Sequence, residues 1–225
     1  MDSWQTIFKG EKMHSIHRIK CGTDNCYIVE NGKDAILVDT ASAPGYETVL
    51  SECRKYNMKL VVLTHVHFDH AENAAKIARH FGIPVAIHKS DLELFDNFDK
   101  QPLKSYGLVG CVVLGLSLKV LRKTKVEKPA NLIFVSDGDS LSDYGIEAKV
   151  IELPGHTKGS IGIDVEEKDL LVGDTLDNWI SPATGHLYTD LDAIKKSAEK
   201  IKSLGERTLH YGHGKATKND FKILK

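Results

Sequence analysis

The segment Thr64-His65-Val66-His67-Phe68-Asp69-His70 follows directly on the apolar run Leu60-Val61-Val62-Leu63, and it packs three imidazoles and a carboxylate into six residues. An apolar run that breaks abruptly into metal-binding side chains restricts the fold, because the run reads as a buried strand whose end must present the polar groups. In extended chain, residues two apart project to the same side, so His65 and His67 can converge on one ion while the turn at Asp69 and His70 aims those two elsewhere. One short loop can then serve two neighbouring metals. Ala71 to Phe81 are good helix formers, and Gly82 followed by Pro84 predicts the helix stop. The cluster is placed at a strand-to-helix junction, where α/β proteins carry their chemistry.

At 225 residues the sequence suffices for one well-buried core, and residues 1–225 read as a single domain. Thirty basic and 31 acidic residues give a net charge of -1, with no basic run of the kind that grips phosphate backbones, so nucleic acid is not an expected partner. Met1 to Gly10 show no basic region leading into an apolar stretch, which argues against a secretory leader and for a cytoplasmic protein without a membrane span. Cys21, Cys26, Cys53 and Cys111 form no CxxC pair and read as reduced, mostly core thiols.

Local patterns predict a hairpin from Cys26–Glu30 and Ala35–Asp39 across Asn31-Gly32, a helix over 44–57, and strands at 59–64 and 84–88. Ser90 is placed to cap a helix starting at Asp91. Strands follow at 132–136, 146–153, 161–165 and 170–173, then a helix at 191–204 and a last strand at 207–211. Meandering strands with intervening helices suggest an α/β (α+β) protein of two packed sheets covered by helices. Residues 101–129 stand apart: Leu108 to Leu118 are apolar, too short to span a bilayer, and flanked by lysines. Two readings apply there, a buried helix or connector, and an apolar lid, partner-facing flap or insertion beside the site.

Three later motifs extend the first cluster. His156 lies in the turn Leu153-Pro154-Gly155-His156-Thr157-Lys158-Gly159-Ser160, Asp174 ends the run Leu170-Leu171-Val172-Gly173, and His210-Tyr211-Gly212-His213-Gly214 adds histidines beside glycines that allow close approach. Together with Asn25-Cys26-Tyr27 and Asp39, these motifs in this order resemble the metallo-β-lactamase superfamily of metal-dependent hydrolases, over nearly the whole sequence. The resemblance implies a four-layer αββα sandwich with a metal site at one edge of its sheets. It also implies that His65, His67 and His156 hold one metal, that Asp69, His70 and His213 hold a second, and that Asp174 bridges them. Asp39 would orient a ligand histidine. His210 is the rival to His213, and the Gly-His-Gly pattern favours His213. His186, in the loop from Ser181, is a candidate for touching substrate.

Imidazole and carboxylate ligands point first to Zn²⁺, with Fe and Mn also compatible. The implied chemistry is attack by a metal-bound hydroxide on a carbonyl, with Asp69 orienting the nucleophile and passing on its proton. Two dications outweigh Asp69 and Asp174, so an anionic small-molecule substrate is expected. Gly173-Asp174-Thr175-Leu176 is similar to the glyoxalase II branch, although the sequence ends soon after His213, without that branch's helical C-terminal region. Many lactonases of the superfamily carry Tyr three residues after the bridging Asp, where this sequence has Asp177. The leading expectation is a dinuclear hydrolase of an ester, thioester or lactone. The alternatives are an iron-dependent oxidoreductase resembling persulfide dioxygenases, and a β-lactam hydrolase; homo-oligomerisation stays open.

Overall fold

The computed structural model describes residues 14–121 and 123–224, so the N-terminal residues that bear on a leader lie outside it. Strands β1 (Ser15–Cys21), β2 (Asp24–Glu30) and β3 (Asp34–Val38) form an antiparallel meander. Helix α1 (Tyr46–Cys53) leads to β4 (Asn57–Val62), parallel to β3, and helices α2 (Phe68–Ala71) and α3 (Ala74–Phe81) lead to β5 (Val85–His88), parallel to β4. After β6 (Lys104–Ser105) and α4 (Gly107–Leu121), β7 (Leu132–Val135) closes a six-stranded sheet of order β1-β2-β3-β4-β5-β7.

The second sheet begins with β8 (Ala148–Glu152), β9 (Ile161–Val165) and β10 (Asp169–Gly173). Short strands β11 (Leu176–Asp177) and β12 (Ala183–Thr184) pair with each other, and β13 (Leu187–Tyr188) pairs with β6. Helix α5 (Leu191–Ser203) returns the chain to β14 (Thr208–Tyr211), parallel to β10, and β15 (Thr217–Lys218) ends the order β15-β14-β10-β9-β8.

Strand alternation sorts the apolar side chains into three layers. Ile28, Leu37, Val61 and Leu63 face Val49 of α1 and Ile77 of α3. Their neighbours Val29, Ile36, Leu60 and Val62 point the other way, against Val150, Ile163 and Leu171 of the second sheet. Leu170 and Val172 then cover the far face against Ala198 and Ile201 of α5. Helices outside two face-to-face sheets make this an αββα sandwich. Each fully buried Leu, Ile or Val contributes roughly 1.5–3 kcal/mol, so the middle layer alone strongly favours keeping the sheets together.

Several local expectations change. The helix over 44–57 shortens to Ala43–Gly45 in 3-10 form followed by α1, and the turn after Cys53 leads straight into β4. The expected helix over 71–81 begins earlier, at Phe68, and is interrupted after Ala71, so Asp69 and His70 lie on a helical turn instead of a loop. Gly82, at φ 67, ends α3 in the left-handed conformation that a Cβ disfavours. His88, not Ser90, caps the next turn: its Nδ1 accepts from Ser90 N, and Lys89–Phe95 is 3-10 helix. The cysteines split, Cys26 and Cys53 being buried and Cys111 exposed. The segment over 101–129 contains α4, in which only Gly110 and Leu121 are buried, so the buried-helix reading is overturned.

Arg207, just before β14, donates to Asp164 of β9 from Nε at 3.0 Å and Nη2 at 3.3 Å, and both side chains are largely buried. Removing one member of such a pair strands the other charge. Asp164→Ala is expected to lower unfolding stability by about 3–5 kcal/mol, read as a lower urea midpoint at unchanged slope.

Candidate metal centre

Four chain segments end at one edge of the sandwich, and each end is shaped by its own local chemistry. The first is the loop after β4. Thr64 N donates to Asp39 Oδ1 at 2.8 Å, Ile161 N donates to Thr64 O at 2.8 Å, and the loop is thereby tied to both sheets. The second is the His156 turn, where Leu153 N donates to Ser160 O and Gly155 N to Thr157 O. The third is the end of β10, where Gly173 at φ 52 packs so tightly on Thr64 that a Cβ would lie 2.6 Å from its Oγ1. The fourth follows β14, where Gly212 N donates to Gly173 O at 3.0 Å and Asn25 N donates to Gly212 O at 2.9 Å.

The side chains brought together are His65, His67, Asp69, His70, His156, Asp174 and His213. Their metal-binding atoms fall into three sets in which all members lie within 4.8 Å of one another: His65, His67 and His156; His65, His70 and Asp174; Asp69, His70 and His213. His67 Nδ1 is 3.0 Å from His156 Nε2, which is 3.2 Å from His65 Nε2. His213 Nε2 is 3.4 Å from both Asp69 Oδ2 and Asp174 Oδ2, and His70 Nε2 is 3.4 Å from Asp174 Oδ1. A tetrahedral ion with ligand bonds near 2.1 Å separates its ligand atoms by about 3.4 Å, so these spacings fit the group that the donors would bind. Asp174 also lies 3.8 Å from His156 Nε2, which puts its carboxylate between the two ends of the cluster.

The other ring nitrogens fix the rings' direction. His70 Nδ1 pairs with Asp39 Oδ2 at 2.8 Å, His156 Nδ1 donates to Leu187 O at 2.9 Å and His213 Nδ1 donates to Thr23 O at 3.0 Å. Thr64 Oγ1 donates to Asp39 and so accepts from His65 Nδ1 at 3.1 Å. Each contact turns a lone pair on Nε2 toward the cluster. His70 Nε2 and Asp174 Oδ1 are buried atoms with no hydrogen-bond partner, an arrangement that a bound cation would satisfy.

Burial drives the pKa of His65 and His67 down, that of His67 to about 3, so both rings stay neutral with a lone pair free. Desolvation is the largest single influence on His70 and His213 and opposes their charge, but the carboxylates around them, Asp174 and Asp69 for both rings and Asp39 for His70, together outweigh it and raise both. Desolvation lifts Asp69 as well, yet His70 and His213 bring it down to about 2, and the same two rings hold Asp174 well below the usual carboxylate range. The carboxylates that favour charge on these two rings would equally favour a bound cation, which would take the place of the proton on each Nε2.

The remaining candidates lie around this cluster. Asp39 supports His70 and the start of the His loop from φ 60, a left-handed backbone that Asp tolerates. His210 is apart, its Nε2 donating to Asp169 at 2.8 Å. His186 is held by Asp177, which accepts from its backbone N and its Nδ1 at 2.8 and 2.7 Å, and its ring stacks on Tyr106. Both His186 and Asp177 line a cavity of about 660 Å³ whose floor includes Asp69, His156, Asp174 and His213.

Three supporting residues escape a reading of the sequence. Asp91 is fully buried and accepts from Val66 N, Thr157 Oγ1 and Gly159 N, tying the His65–His67 loop to the His156 turn. An acid in a first helical turn is so ordinary that nothing in the sequence separates it from a helix-dipole partner. Asn73 sits where α2 breaks from α3, and its Nδ2 donates to the carbonyls of Thr40, Ala41 and Ser42. Trp179 stacks on His213 with ring centroids 4.6 Å apart, from a loop with no periodic signal.

Residues 19–213 match the model of the metallo-beta-lactamase superfamily, and the chain belongs to that family of metal-dependent hydrolases. A probable metallo-hydrolase of Methanocaldococcus jannaschii is 29% identical over 201 residues, covering 85% of this chain and 88% of that relative. A hydroxyacylglutathione hydrolase of Haemophilus influenzae is 27% identical over 155 residues, 68% of this chain and 66% of that protein. Among solved structures, the B3 metallo-beta-lactamase BLEG-1 superposes with a TM-score of 0.70 at 23% identity, covering 91% of this chain and 94% of its own. A protein crystallised in a di-iron-bound form superposes with a TM-score of 0.64, also at 23% identity and with the same coverage.

A Cβ on Gly212 would lie 2.6 Å from His70 Cε1 and collide with Asp174 Oδ1. Gly212→Ala is expected to retain the fold by circular dichroism and to lose at least half of its bound metal by elemental analysis. Asp91→Ala leaves the N–H groups of Val66 and Gly159 unpaired in the interior, while Thr157 Oγ1 keeps its contact with Ser160 Oγ, so metal affinity is expected to drop 10–100-fold; affinity matching the parent protein in a chelator competition would contradict a positioning role for Asp91.

Proposed function

We propose that the chain is a dinuclear metal-dependent hydrolase that cleaves an ester, thioester or lactone of a small molecule at its carbonyl. The observation that carries this reading is that Asp174 stands between two groups of donors, at the floor of a cavity sized for a small molecule. His65, His67 and His156 would hold one ion, and Asp69, His70 and His213 the other. Bound ions would supply Lewis acidity, polarising the carbonyl and lowering the pKa of water. Their identity follows from the donors only as far as Zn²⁺, Fe or Mn.

The protein's own groups do the rest. Asp69 keeps a carboxylate oxygen at the cavity floor, where it orients the attacking water and takes its proton. The water oxygen bonds to the carbonyl carbon, the carbon–oxygen or carbon–sulfur bond breaks, and the leaving group takes up a proton. His186, held by Asp177, stands at the cavity wall within reach of a substrate polar group. Asp69 and Asp174 leave a net charge of about +2 when two dications are held, which favours anionic substrates or leaving groups. The relative from Haemophilus influenzae bears the name of a thioester hydrolase, which supports a thioester among the three bond types.

Elemental analysis combined with an ester, thioester, lactone and β-lactam panel tests the reading. Two equivalents of metal and turnover on one of the first three are expected, both lost in His65→Ala and Asp174→Ala. Stoichiometric iron with oxygen uptake, or turnover on the β-lactam alone, would overturn it.

A further inference from the structure

The cavity over the cluster has two kinds of wall. Its floor is Asp69, His156, Asp174 and His213, while α4 contributes Val113, Leu116 and Val120. Leu116 and Val120 are 61% and 42% exposed, and they belong to a series with Leu108 and Val112, all large apolar side chains left open to solvent. Spacing by four places the series on one ridge of the helix, about 18 Å long at 1.5 Å per residue. Scattered exposed aliphatics need no explanation, but a continuous ridge does. Here the ridge runs into the cavity that the cluster floors, and Trp179, itself 38% exposed, lines the same space. Among the described residues lining it, Lys20 is the one Lys or Arg, so the walls suit hydrocarbon better than a polyanion.

We infer that the α4 wall binds an aliphatic acyl chain, so that the substrate is an acyl ester, thioester or lactone with a medium or long chain whose carbonyl reaches the floor. This rests on the hydrolase reading for its chemistry and on the wall for its chain. Each methylene that moves from water onto the wall raises affinity by up to about fourfold.

The test uses the full chain, metal-free after chelation and metal-loaded. Saturated carboxylates from butanoate to dodecanoate are titrated against a bound dansyl fatty acid on the metal-free protein. Affinity rising about two- to fourfold per methylene is expected, with the slope flattened in Leu116→Glu and kept in Leu108→Glu, which lies on the ridge but outside the cavity. On the loaded enzyme, kcat/KM for acyl thioesters of the same chain lengths is expected to rise in parallel. Affinity independent of chain length, or a slope untouched by Leu116→Glu, overturns the inference. Turnover without chain dependence overturns it while leaving the hydrolase reading intact; chain-dependent binding with no turnover on any carbonyl substrate does the reverse.

Discussion

The carboxylate of Asp39 is the contact on which the metal-binding edge depends. From the end of β3 it accepts from Thr64 N, Thr64 Oγ1 and His70 Nδ1, so a single side chain sets both the exit of the His loop from β4 and the direction of the His70 ring. To reach them its backbone takes φ 60, and Ala41 follows at φ 58, a conformation costly to a residue with a Cβ. That strain persists because the turn is held from outside: Asn73 ties down three successive carbonyls, and Thr40 donates to His70 O from both N and Oγ1. The break between α2 and α3 is what brings Asn73 to this turn.

The same logic joins the two sheets. Asp91 bridges the His loop to the His156 turn, Ile161 donates to Thr64, and Asn25 holds the backbone around Gly212 through Tyr211 O and Gly214 O. Buried polar groups of this kind are costly when unpaired and rigid when paired. The rings and carboxylates can therefore be left with lone pairs aimed at one another, an arrangement that would otherwise relax. Three large apolar layers supply the free energy that keeps the sheets in register while this happens.

Much of this is legible in the residues because it is local. Alternating and continuous apolar runs mark most strands to within a few residues, and a His-rich loop between an apolar run and helix formers marks the site. Local pattern misleads where a single side chain decides the backbone. Asn73 interrupts an otherwise regular helical pattern, His88 replaces Ser90 as a cap, and α4 is apolar enough to look buried yet leaves a whole ridge exposed. Asp91 and Trp179 are invisible for a different reason: their partners lie 25 or more positions away, and no spacing rule connects an acid at a helical turn with a hydroxyl at Thr157 or a Trp with a distant His.

By itself the sequence determined where the candidate donors lie, the order of its motifs and the layered class of the fold, since those follow from residue type and period; the grouping of the donors into one set came from the resemblance of those motifs to a known superfamily. Only the tertiary structure decided which nitrogens face inward, that Asp174 stands between the two donor groups, and that α4 lines the cavity above them. Ligand geometry is set by long-range backbone hydrogen bonds and by the packing of one sheet on the other, and neither is written in any segment shorter than the whole chain.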